Sequence, residues 1–177
     1  MPRESFVSFK KSFSPSWIAS KIIFPIGEKL LAITRNKLYS IRLMKFQYTD
    51  GGRSLAGYSG KTGDCVVRAL TLATGSSYMN MYQFVNATSK AFESHRRAKS
   101  SNVHGVYEAS VRGIMRVMKF KWTAKRVGAM LKIPTKGSYI VSLQGHVCAV
   151  VNGIILDTHN SLTPDNLRYS YGYWKVK

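Results

Sequence analysis

The chain is predicted to fold as an α+β domain, with N-terminal helices followed by an antiparallel sheet, and three observations predict it. Apolar residues recur at helical spacing between Asp64 and Phe92; from Gly137 the signal turns to β; and Asn152-Gly153 separates two apolar runs, the strongest short hairpin signal. Helices gathered in one stretch and strands in another make α+β rather than an alternating α/β pattern. With 177 residues the chain can bury one proper core but is short for two ordinary domains. Its 45% hydrophobic and 12% aromatic content argues against wholesale disorder.

Residues 1–43 read as a basic N-terminal extension and 44–177 as the folded domain. The extension holds eight Lys or Arg against Glu4 and Glu28, is rich in serine, and shares its acid-poor composition with organelle presequences. Its apolar stretch from Trp17 to Ile33 is broken by Lys21, Pro25, Gly27, Glu28 and Lys29, which suits neither a signal peptide nor a membrane span. Ser14-Pro15 could open a short helix that Pro25 would end.

The first helix of the domain opens at or just before Cys65, with apolar residues at 66, 67, 69, 70 and 73 and Gly75 placed for a left-handed cap. A second follows Ser77, with Tyr78, Met81, Tyr82, Val85 and Phe92 at helical spacing. Glu93 to Asn102 is polar and basic and reads as a loop. A third helix is expected from about Gly105 to Met118, with Val111, Met115 and Met118 on one face and a ridge of Arg112, Arg116 and Lys119 beside it. Strands are expected at Lys119–Ala124, Ser138–Leu143, His146–Val151 and Ile154–Thr158, and a closing strand at Arg168–Val176.

Charge is the outlying quantity: 27 Lys plus Arg against 8 Asp plus Glu give +19, beyond what solubility needs. A polyanionic neighbour follows, nucleic acid or a nucleoprotein first among them, with a plain solvated basic surface as the alternative. Lys90, Arg96, Arg97 and Lys99, with Arg112, Arg116 and Lys119, are the local candidates for phosphate contacts.

The chain has two cysteines, Cys65 and Cys148, without C-x-x-C or metal-finger spacing, so neither a disulfide scaffold nor a metal site is indicated and no cofactor is expected. The free N–H groups at a helix N-terminus favour a thiolate, and Cys65 sits there. A nucleophile also needs a base within hydrogen-bond reach and a group to orient that base. Counting outward from the Asn152-Gly153 turn pairs His146 with His159 and Cys148 with Asp157, so Asp157 lies diagonally beside His146 on one face. Taken singly, Cys65 reads as a small core residue, His146 as a strand end and Asp157 as a turn cap. Their order along the chain makes Cys65, His146 and Asp157 a candidate catalytic triad.

Met44 to Arg53, then Gly63-Asp64-Cys65-Val66-Val67-Arg68-Ala69, then Gly145-His146-Val147-Cys148-Ala149-Val150 with Asp157, resemble a group of small phage and bacterial proteins described as papain-like cysteine peptidase domains. The resemblance spans about residues 44 to 160 and implies Cys65 as nucleophile, His146 as base and Asp157 as its orienting group. It also implies a Gln or Asn oxyanion donor shortly before the cysteine. Residues 58–64 contain neither, which leaves the Cys65 backbone N–H and, as further candidates, Lys61 or Ser59. Gly60-Lys61-Thr62 is no P-loop, because Leu55 stands where its first glycine belongs. Cys65, His146, Cys148 and Asp157 lack the zinc-deaminase signature, and His95 and His104 are expected to be exposed.

The expected function is thiol-dependent acyl transfer, as a peptidase, deamidase or isopeptidase of phage or bacterial origin acting on a cellular protein. The alternative is a basic protein binding nucleic acid, a ribosome or a polymerase through an inactive fold of the same kind. The expected location is cytoplasmic, in the host cell if phage-encoded, with no transmembrane segment.

Overall fold

A computed structural model describes residues 44–97, 99–163, 166–167 and 169–176, so the extension expected over residues 1–43 lies outside the described residues. Among these residues lie the helices α1 (Cys65–Thr74), α2 (Tyr78–Phe92) and α3 (Glu108–Val117) and the strands β1 (Lys45–Tyr48), β2 (Lys121–Ala124), β3 (Ser138–Leu143), β4 (His146–Val151), β5 (Ile154–Asp157) and β6 (Ser170–Val176). The α+β class is as expected. Among these residues no helix is long and apolar enough to cross a membrane.

The helix ends follow from local chemistry. Gly75, at φ 72°, closes α1 and donates its N–H to Thr71 O, and the Ser77 side chain caps α2 by accepting the Asn80 N–H. The third helix is shorter than expected at both ends. Ser101 and Gly105 exchange two backbone hydrogen bonds, at 2.8 and 3.0 Å, and Gly105 has φ 104°, so residues 101–105 form a closed loop that cannot be helical. At the far end Lys119 adopts φ 59°; its N–H reaches Arg116 O and the Phe120 N–H reaches Met115 O, a Schellman cap with lysine in glycine's usual place.

The six strands form one sheet in the order β1-β5-β4-β3-β6-β2. The sheet is mixed rather than antiparallel throughout, because β1 runs parallel to β5, with Lys45 opposite Ile154 and Tyr48 opposite Asp157. All four β1 residues are exposed, so although Phe46 and Tyr48 alternate with Lys45 and Gln47, the placement of the strand rests on backbone pairing. The hairpin register is the expected one, Val151 to Ile154 and Ala149 to Leu156. Asn152 and Gly153 both take positive φ, 50° and 77°, as a type I′ turn requires.

Both faces of β3 and β4 are covered. On one side Ile140, Val147, Ala149 and Trp174 pack with Val66, Leu70, Ile114 and Met115 of the helices. On the other, Val141, Cys148, Val150 and Ile155 pack beneath Leu131, Ile133 and Leu162 from the connecting segments. Burial on two faces explains why these strands read as near-continuous apolar runs. It also fixes the start of α1 against the sheet end that begins β4.

Candidate active site

Cys65 is the first residue of α1, His146 the first of β4 and Asp157 the last of β5. The register carries Asp157 to His146, whose Nε2–H donates to Asp157 Oδ2 at 2.6 Å. The other ring nitrogen is thereby left for Cys65, whose side chain lies near enough to act on the protonation of the ring. The three residues expected to act together are thus brought together.

Asp157 is only 5% exposed and is held from two further sides. Ser161 Oγ donates to its Oδ2 at 2.7 Å and the Thr158 N–H to its Oδ1 at 2.7 Å. Burial raises its pKa, but the hydrogen bond and charge of His146 and the bonds from Ser161 and Thr158 outweigh it and hold the carboxyl below its ordinary range. For His146 burial acts downward, yet the Asp157 hydrogen bond, the Cys65 side chain and the charges of both leave it raised to about 9. Cys148 differs in every respect: it is 1% exposed, and burial pushes its thiol up to about 12.

The start of α1 is fixed by a charge network with no sequence signal. Asp64, fully buried, forms ion pairs with Arg53 Nε at 3.1 Å and Arg68 Nε at 2.9 Å and accepts the Tyr78 hydroxyl at 2.6 Å. Both arginine contacts are close in distance without hydrogen-bond alignment. Burial, and then the bond and charge of Asp64, raise the Tyr78 pKa, so the phenol stays a donor. Arg68 Nη1 also donates to Thr158 Oγ1 at 2.9 Å, tying α1 to the segment that follows Asp157.

Cys65 and His146 open onto a groove of about 560 Å³ whose other walls include Arg68, Lys99, His104, Tyr107 and His159. His104 is exposed, as expected, and still lines the groove. The wall carrying Lys99 belongs to the polar stretch Glu93 to Asn102, with His104 just beyond it, and it is anchored from beneath. Glu93, 1% exposed, accepts the Ser100 N–H and the hydroxyls of Ser100 and Ser110. Burial raises its pKa, and those bonds outweigh burial and lower it. Gly63 passes the same loop so closely that a Cβ there would lie 2.4 Å from the Gly105 nitrogen.

Neither Lys61 nor Ser59 lines the groove; Thr62 and Gly63 do. The Thr62 hydroxyl is committed to Asn102 O and the Gly63 N–H to Val103 O. The Cys65 backbone N–H is therefore the remaining candidate oxyanion donor of those considered. One ligand atom each from His146, Asp157 and His159 lie within 4.8 Å of one another, but His146 and Asp157 already satisfy each other at 2.6 Å, which favours proton handling over metal holding.

The seven basic residues proposed from sequence do not form one set around the groove. Lys99 lines it. Arg112 and Arg116 line a different cleft, of about 240 Å³, with Phe120, Trp122 and Trp174. There Arg112 pairs with Glu108 at 2.6 Å and its guanidinium lies 5.7 Å from the Trp122 ring centre. Arg96 stacks over Tyr107, and Lys90, Arg97 and Lys119 are exposed. No known family's model matches the chain, and neither a curated protein nor a solved structure matches it.

Proposed function

We propose that the chain is a thiol-dependent acyl-transfer enzyme of the papain-like kind, acting on a protein as a peptidase, deamidase or isopeptidase. The supporting observation is that Cys65 and His146, the latter hydrogen-bonded to Asp157, line one open groove, while Cys148 is sealed in the core. A helix that presents the nucleophile to a sheet bearing the base and its orienting carboxylate supports the papain-like reading of the fold.

Near neutral pH the raised His146 is imidazolium and carries the proton that the leaving group will need, and the sulfur reacts as its anion, the nucleophilic form of a thiol. The thiolate attacks the acyl carbon, and the Cys65 N–H at the start of α1 faces the developing oxyanion. His146 gives its proton to the departing amine, leaving a thioester on Cys65 and a neutral imidazole. That imidazole takes a proton from water, the hydroxide displaces the thiolate, and the acid product leaves with His146 again protonated. Asp157 keeps Nε2 protonated and the ring aimed at the sulfur throughout.

The test is an acyl-trapping experiment with p-nitrophenyl acetate followed by peptide mass spectrometry. An acetyl adduct should form on Cys65 and fall on the order of 100-fold or more in rate in His146→Ala. An adduct confined to Cys148, or none on Cys65, would contradict the reading.

The cleft of Arg112, Arg116 and Trp122 favours a second reading, contact with nucleic acid, because guanidinium groups beside an aromatic face suit phosphate and base together. The two readings use separate residues and are compatible.

A further inference from the structure

Resting on the acyl-transfer reading, we propose that the groove at Cys65 selects an acidic peptide, with an Asp or Glu side chain next to the acyl group that Cys65 attacks. Around the sulfur the groove presents Arg68, Lys99, His104, His146 and His159, and among the described residues no carboxylate lines it.

The neighbouring carboxylates are turned away and committed. Asp64 is buried among Arg53, Arg68 and Tyr78; Asp157 lies behind His146; Glu93 is buried under the Lys99 loop against Ser100 and Ser110. Arg68 is 13% exposed; its Nε lies 2.9 Å from the Asp64 carboxylate and its Nη1 donates to Thr158 Oγ1, so its guanidinium is held in place before any ligand arrives. Its Nη2 has no partner among the described residues, and a fixed guanidinium is well suited to a carboxylate. The Lys99 ammonium donates to the backbone carbonyls of Glu93 and Ser94, which position it without cancelling its charge.

A substrate with a carboxylate beside its acyl group would meet Arg68 and Lys99 as the acyl carbon meets Cys65. An acidic product peptide would be held by the same groups, so turnover should weaken when product accumulates.

Two acetylated dipeptide chloromethyl ketones, identical except for Glu or Gln next to the reactive carbon, provide the test, with alkylation of Cys65 followed by mass spectrometry. The Glu reagent should react about 5-fold faster or more at low salt, the value of one ion pair near 1 kcal/mol. The preference should shrink as ionic strength rises. It should also shrink in Arg68→Gln and, because Arg68 supports Asp64, independently in the exposed-site variant Lys99→Gln. Equal rates, or a Gln preference, with Cys65 still alkylated overturn this inference and leave the acyl-transfer reading standing. Failure of both reagents at Cys65 overturns the two together.

Discussion

His146 is gripped by a carboxylate on one ring nitrogen and a thiol on the side of the other, and its protonation therefore reports on both contacts. Its folded-state pKa, about 9, lies above its ordinary value of 6.5. The stabilisation it brings is thus complete below pH 6.5 and is lost as pH rises through 9. Asp157 has the opposite sign: its pKa is lowered in the fold, so its contribution is present above the ordinary carboxylate range and is lost as pH falls through the lowered value. Urea titrations from pH 6 to 10 should show wild type losing more stability across that interval than His146→Gln; parallel curves would show that the contacts do not persist in solution. Asp157→Asn should leave the protein folded but lower the rate of Cys65 acylation on the order of 100-fold, since the imidazole loses the group that fixes its tautomer.

At the scale of elements, the entry to α1 depends on one buried carboxylate. Removing one partner of a buried ionic cluster typically costs about 3–5 kcal/mol. Asp64→Ala leaves Arg53, Arg68 and Tyr78 without it, so the unfolding free energy from denaturant titration should fall by that order, against a small change for the exposed Glu108→Ala. The contrast also shows what the sequence could and could not reveal. The Ser77 cap, the Asn152-Gly153 turn and the diagonal from Asp157 to His146 depend on contacts near in sequence, and so they are legible there. Asp64 and Glu93 looked like ordinary polar residues beside a helix, because their partners lie on other elements: Arg53 and Tyr78 for one, Ser100 and Ser110 for the other. Strand β1 is hard to see because its alternation spans only four exposed residues, and the ends of α3 are blurred because Gly105 belongs to a closed loop and Lys119 supplies the left-handed residue that glycine usually marks. Of the groove wall, the hairpin count places His159 opposite His146, whereas nothing near Arg68 or His104 in the sequence marks them as groove residues.

For the whole molecule, a formal charge of +19 is spread over residues that serve different ends. Arg68 and Lys99 border the groove, and Arg112 and Arg116 border the tryptophan cleft. If the cleft engages nucleic acid, each neutralised phosphate contributes about 0.9 for duplex, or about 0.7 for single strands, to the fall of log affinity with log salt. Arg116→Ala with Lys119→Ala should then flatten that slope by roughly one to two units, and adding Arg112→Ala should change it less, since Glu108 already pairs with Arg112. Cys65→Ala should leave the slope unchanged, which separates charge from chemistry. The most direct measurement of the central claim compares the two thiols: site-resolved iodoacetamide labelling of the folded protein near pH 7, in wild type and in His146→Ala. Cys65 should label readily in wild type and much more slowly in His146→Ala, with Cys148 unlabelled in both. Equal labelling of the two cysteines, or a Cys65 rate indifferent to His146, would contradict it.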